Sequence, residues 1–295
     1  MSMLDSVRSR IRGTTDRWIE GVALSDIRRD FDVLAGGSRP PPFAKHLHAG
    51  MQAAWFGGQP APDAKRAILF CHGGGFQIGS LRSHQGLMSR VARAAGTPVL
   101  GFEYRLAPEA RYPAAHRDAL SAYARLSSGL GEGARVAIAG DSAGGNLALA
   151  TALGAERAGL RRPACVVLLS PWLDLAMSGE SYRTRSELDF FSSPGQLRAM
   201  ARTYLGRDGD PANPECSPLY DDVSGLPPTL VHAGDHDITL DDATALAARA
   251  EEQDLELRLR IWPGMFHHFQ MFDELTEAGE SLDEIGSFLR EHLRG

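Results

Sequence analysis

From about residue 65 the chain alternates short, nearly continuous apolar runs with longer amphipathic stretches. Residues 67–71, 98–102, 135–139, 164–169, 229–233 and 256–262 read as strands. Residues 84–95, 114–126, 145–157, 241–253 and a last segment ending near Leu293 carry apolar positions at helical spacing. Strand followed by helix, repeated along the chain, predicts an α/β fold with right-handed crossovers and a mostly parallel sheet. The strands are apolar at almost every position, as burial on both faces requires, so helices should cover both sides of the sheet.

Two regions break this rhythm. Residues 1–45 read as helical and end in GGSRPPP at 36–42, and residues 175–223 hold helical pieces with Pro and Gly but no parallel strand. Insertions of this kind lie over the carboxyl ends of the strands, where open α/β sheets bind ligands. A cap drawn from about 1–45 and 175–222 on a single domain spanning 1–295 is therefore expected.

Composition narrows the class. The 43% hydrophobic and 23% charged content is that of a folded globular chain, and 295 residues suffice for one large α/β domain. A net charge of −6 argues against a nucleic-acid partner, which needs a basic face. Cys71, Cys165 and Cys216 are few, odd in number and without a CxxC spacing, which suits a reducing compartment. The N-terminus lacks the roughly 7–15-residue apolar core of a signal peptide, and no segment approaches the ~20 apolar residues of a membrane span. A cytoplasmic location is the expectation.

Candidate chemistry begins at Gly140-Asp141-Ser142-Ala143-Gly144, which follows one predicted strand directly and opens a helix. A nucleophile elbow needs small neighbours around a serine on a strained strand-to-helix turn, with the helix dipole behind it. His72-Gly73-Gly74-Gly75 follows another strand, and its bare backbone lets N–H groups approach a substrate carbonyl. A serine nucleophile needs a base, and the base an acid, in the chain order Ser, acid, His. Of the histidines after Ser142, His232 lies within a strand and reads as core, and His292 reads as part of the solvated face of a terminal helix. His267 and His268 follow the last strand, where a base would stand. For the acid, Asp241 and Asp242 begin an amphipathic segment and read as helix punctuation. Asp235 and Asp237, just beyond the strand 229–233, remain.

Together HGGGF at 72–76, IGS at 78–80, YRLAPE at 104–109, GDSAGGNLA at 140–148, SPWLDL at 170–175, SPLY at 217–220, GLPP at 225–228 and WPGMFHHFQ at 262–270 resemble the hormone-sensitive lipase family of α/β-hydrolases, within it bacterial acetyl esterases and monoterpene ε-lactone hydrolases. The resemblance covers roughly residues 45–290 with the motifs in family order. It implies an α/β-hydrolase fold with a mostly parallel eight-stranded sheet, a helical cap and frequently a homodimer. It also implies a serine carboxylesterase acting on a small-molecule ester without a cofactor. By position it implies Ser142 as nucleophile, His267 as base, Asp237, thirty residues earlier, as acid, and the N–H groups of Gly74, Gly75 and Ala143 as oxyanion donors. His268 stands where the family usually has Gly or Val, Ile238 where it has Pro after the acid, and Cys71 where it has a bulky apolar residue.

Other groups get plainer readings. His46 and His48 share a strand face but lack a third ligand, so no metal is expected. The grouping of Asp235, His236, Asp237, His267 and His268 as a metal cluster is the poorer account beside an elbow and an oxyanion loop. Asp141 reads as a structural partner, His72 as a loop-fixing residue, and Arg105 with Glu109 as a buried polar anchor. Trp18, Phe31, Phe190 and Phe191 are candidates for the pocket wall. A lactone hydrolase or a deacetylase would use the same machinery, and a non-catalytic receptor on the same fold would lack the base.

Overall fold

A computed structural model describes residues 2–19, 21–36, 43–61 and 64–294. The GGSRPPP stretch therefore lies, from residue 37 on, outside the described residues. Helices α1 (Met3–Thr15) and α2 (Leu24–Gly36) come first, followed by strands β1 (His46–His48), β2 (Met51–Phe56) and β3 (Arg66–Cys71). Then α3 (Leu81–Ala95), β4 (Val99–Phe102), α4 (Ala114–Gly129), β5 (Arg135–Asp141), α5 (Ala143–Arg157) and β6 (Cys165–Leu169) alternate. After α6 (Ser181–Thr184) and α7 (Pro194–Leu205) the alternation resumes with β7 (Thr229–Gly234), α8 (Leu240–Glu252), β8 (Leu257–Trp262) and α9 (Thr276–Leu293).

The eight strands form one sheet in the order β1-β2-β4-β3-β5-β6-β7-β8. β1 and β2 pair antiparallel at one edge, β2 also runs antiparallel to β4, and the other neighbours are parallel. This agrees with the expected α/β-hydrolase architecture. Because successive residues of a strand face opposite sides, Leu69, Leu100, Ile138, Val166 and Val231 pack on one face, and Ile68, Phe70, Ala137, Val167 and Leu230 on the other. The first face is covered by α4, α5 and α8, the second by α3 and α9, with α2 against α3. Apolar runs in β3–β7 follow from this double cover, whereas edge strand β8, LRLRIW, alternates and exposes Arg258 and Arg260.

Helix α3 starts at Leu81, three residues before the expected boundary, because Ser80 caps the N–H groups of Arg82 and Ser83. It stops at Gly96 in the left-handed conformation, φ 59°. The two irregular regions meet above the carboxyl ends of the strands. Phe31 of α2 packs edge-on against Phe191 before α7 at 6.3 Å, and Tyr204 of α7 stacks on Phe76 at 4.0 Å.

Some expectations for single residues need correction. Arg105 and Glu109 are not buried: their side chains are 58% and 62% exposed, and they form separate ion pairs with Asp118 and Arg28. The two charges stay at the surface because each finds a partner without being desolvated. His292 is not on a solvated face; its side chain is 12% exposed and its ring packs 4.3 Å from Phe288. His48 places Nε2 2.9 Å from the Ala122 carbonyl oxygen and His46 stacks on Trp55, so neither imidazole faces a shared ligand.

Candidate active site

Strand β5 ends at Asp141 and α5 begins at Ala143, so Ser142 forms the entire turn between them. Its backbone has φ 51° and ψ −120°, a conformation costly for a residue with a side chain and held by its surroundings. Ser142 N–H donates to the Leu169 carbonyl at 2.9 Å, while its own carbonyl accepts from Trp172 N–H and Asn146 N–H, both at 3.1 Å. Gly144 must lack a side chain here: a Cβ would stand 2.0 Å from the Cys71 carbonyl oxygen. The turn thus presses against the end of β3 and leaves the serine hydroxyl pointing away from the sheet.

The loop after β8 brings His267 to that hydroxyl, with Nε2 2.8 Å from Ser142 Oγ. Its Nδ1 stands 2.9 Å from Asp237 Oδ1. Because the carboxylate accepts, the proton sits on Nδ1 and the Nε2 lone pair faces the serine. Thr239 also donates to Asp237 Oδ1, from N–H at 2.8 Å and from its hydroxyl at 2.9 Å. Burial is the largest single influence and opposes the charge on Asp237, but His267 together with the hydrogen bonds of Ser170 and Thr239 holds the carboxyl below its usual range. Burial is the largest single influence on His267 and opposes its protonation; Asp237, with the charges of Asp189 and Asp141 added, together outweighs it and raises the imidazole above its usual value.

The other acids of the AGDHDITLDD segment go elsewhere. Asp235, with a 40% exposed side chain, accepts from Gly264 N–H at 2.6 Å and ties β7 to the turn after β8. Asp241 and Asp242 do lie in the first turn of α8, yet they are more than helix punctuation. Asp241 accepts from Ser181 N–H at 2.8 Å. Buried Asp242 accepts from Leu173 N–H at 2.7 Å, Asp174 N–H at 2.9 Å and Tyr182 Oη at 2.8 Å. Its carboxyl is pushed well above the usual range by burial and then by Asp174. These two side chains fasten the segment after β6 to α8. Of the suggested metal grouping only Asp237 and His267 stand together, joined there by Asp189, while Asp235 turns to the Gly264 N–H and His268 to Asp141.

One group was missed in the sequence. Buried Asp189 accepts from Phe191 N–H at 2.9 Å, Ser192 N–H at 3.2 Å and Ile238 N–H at 3.1 Å. Its oxygen lies within 4.8 Å of ligand atoms of Asp237 and His267. Burial, then repulsion from Asp237, pushes its carboxyl up to about 6. No local pattern marks Asp189; an Asp before two aromatic residues in an irregular stretch reads as a loop residue.

Behind the serine, the first glycine of the HGGG loop donates its N–H to Asp141 Oδ1 at 3.0 Å. Tyr104 Oη donates to the His72 carbonyl at 2.7 Å, and the His72 ring stacks on Tyr104 at 4.2 Å. Gly74 and Gly75 take φ values of 117° and 59°, which side-chain-bearing residues rarely adopt. Both line one cavity with Ser142, His267, His268, Trp18, Phe31, Ile78, Phe191, Gln196 and Met200. Phe190 is not on this wall, because its ring turns away to pack on Phe266 at 4.1 Å and under Arg8. Ala143 follows the serine at the N-terminus of α5. The cavity is small, about 40 Å³.

A hydroxyl activated by a hydrogen-bonded imidazole beside a glycine-rich backbone loop is suited to acyl transfer. Residues 68–271 match the family profile described as alpha/beta hydrolase fold. An acetyl-hydrolase of Streptomyces hygroscopicus is 39% identical over 79% of this chain and 78% of its own. An ethyl acetate hydrolase of Pseudomonas putida is 35% identical over 78% and 74%. The crystal structure of an esterase from the bacterial hormone-sensitive lipase family superposes over all of both chains, with TM-score 0.91 and 36% identity. The match of profile, sequence and architecture makes this chain a member of the hormone-sensitive lipase family of α/β-hydrolases.

Proposed function

We propose that this carboxylic ester hydrolase cleaves short-chain esters through Ser142, His267 and Asp237 by way of an acyl-enzyme. Ser142 Oγ attacks the ester carbonyl as His267 Nε2 takes its proton, and Asp237 orients the imidazole and stabilises the imidazolium. The carbonyl oxygen, now negative, is received by the N–H groups of Gly74, Gly75 and Ala143. The tetrahedral intermediate collapses, and the alcohol departs with the proton from His267. Water, deprotonated by the same nitrogen, then attacks the acyl carbonyl and frees Ser142 and the acid. The observation that carries this reading is the row Ser142 Oγ, His267 Nε2 at 2.8 Å, and His267 Nδ1 to Asp237 Oδ1 at 2.9 Å.

Residues from about 1–45 and 175–222 form the cap in this reading, supported by Trp18, Phe31, Phe191 and Met200 on the cavity wall. The small cavity and the likeness to an acetyl-hydrolase and an ethyl acetate hydrolase favour acetyl and other short acyl groups. A homodimer is part of the proposal through the family resemblance. A cytoplasmic location is supported by three free, buried cysteines; among the described residues no helix is long and apolar enough to cross a membrane.

The test is hydrolysis of aryl esters from acetyl to dodecanoyl, with a seven-membered lactone alongside, by the wild type and Ser142→Ala. Rates should be highest for the shortest chains and vanish in the variant. A preference for dodecanoyl would refute the short-chain assignment, a preference for the lactone would move the substrate class, and undiminished turnover by Ser142→Ala would refute the nucleophile.

A further inference from the structure

His268 follows the proposed base and has no part in the reaction described above, yet it is buried in the cavity wall. Its backbone lies at φ 64°, a region that glycine occupies freely and other residues avoid. Its backbone N–H lies 3.4 Å from Ser170 Oγ, and its ring stands edge-on to His267 at 4.2 Å and 5.0 Å from Phe191.

The ring fills the space beside Gly73. A Cβ placed on Gly73 would stand 2.7 Å from His268 Cε1 and 2.3 Å from Asp141 Oδ2, so the glycine backbone is clasped between the two side chains. Asp141 Oδ1 accepts the Gly73 N–H, and Asp141 Oδ2 is approached by His84 Nε2 at 3.2 Å and by His268 Nδ1 at 2.7 Å. The His268 N–H lies off the line to that oxygen, so the contact is electrostatic more than a directed hydrogen bond. Burial, then His267, brings the His268 imidazole down to about 4, so the ring is neutral near neutral pH. It can therefore turn a donor toward the buried Asp141 anion without adding a second positive charge beside His267 when that residue is protonated.

We propose that His268 is a positioning residue for the oxyanion loop: packed on Gly73 and facing Asp141, it fixes the chain that presents the Gly74 and Gly75 N–H groups to the substrate oxygen. This rests on the acyl-transfer reading above. Donor placement matters most when charge develops on the oxygen, so the effect belongs to the transition state more than to ground-state binding.

The test compares His268→Gly, which removes the ring and relaxes the backbone, with His268→Asn. Asn tolerates φ near +60° and carries an amide nitrogen where histidine has Nδ1. With an aryl acetate as substrate and an alkyl trifluoromethyl ketone as tetrahedral analogue, His268→Gly should lower kcat about 10–100-fold. It should weaken the ketone by the same factor, leaving KM within about threefold and the acid midpoint of kcat/KM in place. His268→Asn should recover most of both losses. Unchanged kcat and ketone affinity, a shifted acid midpoint, or an Asn variant no better than Gly would each overturn the proposal. If circular dichroism shows that His268→Gly has not folded, His268→Ser, which also removes the ring, takes its place against His268→Asn, and the same outcomes support or overturn the role. Absent turnover in the wild type would refute the acyl-transfer reading itself, a result distinct from a silent His268→Gly in an active enzyme.

Discussion

Replacing Asp237 by Asn tests which acid supports the base. In the transition state the His267 imidazolium lies against Asp237, the ring nitrogen 2.9 Å from Oδ1. For charge centres about 4 Å apart at an effective dielectric near 20, the attraction is about 4 kcal/mol, or about three orders of magnitude in rate at ~1.4 kcal/mol per decade. An amide also offers N–H where Nδ1 needs an acceptor, which disfavours the tautomer that leaves Nε2 free. Asp189 tempers the loss, because its carboxyl remains within 4.8 Å of the same cluster. The expected result is a fall in kcat of about 10²–10⁴ for aryl acetate hydrolysis, with KM little changed and the melting temperature maintained, since one of two repelling buried carboxyls has gone. The paired control is Asp235→Asn, which weakens a half-exposed bond to Gly264 N–H and should cost less than about threefold. A loss below tenfold for Asp237→Asn, or a larger loss for Asp235→Asn, would refute the assignment.

The remaining predictions follow from neighbouring contacts. His267 is raised above the ordinary imidazole value of about 6.5 and must be neutral to accept a proton, so kcat/KM should fall as pH drops through a midpoint above that value in a pH–rate profile; a lower midpoint would contradict the Asp237 contact. Asp242→Ala strands three buried donors, Leu173 N–H, Asp174 N–H and Tyr182 Oη. It should cost about 3 kcal/mol, lowering Tm in calorimetry by roughly 5–12 °C; a change under 2 °C would refute the anchoring role. Met200 covers Gly75 so closely that a Cβ there would stand 2.1 Å from its Sδ. Met200→Ala should shift the preference from acetyl toward butanoyl and hexanoyl esters in parallel rate measurements, and an unchanged profile would show that Met200 does not bound the acyl site.

Much of the architecture was legible because burial on both faces leaves apolar residues at consecutive positions, as in Ile68-Leu69-Phe70. Strand β2 escaped notice because MQAAWF has an exposed Gln near its start and small residues in its middle, and of three-residue β1 only the shared face of His46 and His48 was read. Ser142 and the glycines of 72–75 carry local signatures because their backbone conformations admit few residue types. The role of Asp242 was misread because first-turn acids are ordinarily solvated; only tertiary packing brings Leu173, Asp174 and Tyr182 onto it. Asp189 was invisible for the same reason, its neighbours lying 48 and 78 positions away in Asp237 and His267. Phe190 and Phe191 differ in burial partners rather than in type, so their sequence could not say which one faces the cavity.

The central claim is that Ser142 is a hydroxyl made nucleophilic by His267. A fluorophosphonate reacted with the wild-type protein, followed by peptide mass spectrometry, tests it most directly. The account predicts one adduct per chain, on Ser142, with labelling abolished in Ser142→Ala and strongly slowed in His267→Ala. No adduct on a folded protein, or an adduct on another serine with Ser142 unmodified, would contradict it and favour a binding protein built on the same fold.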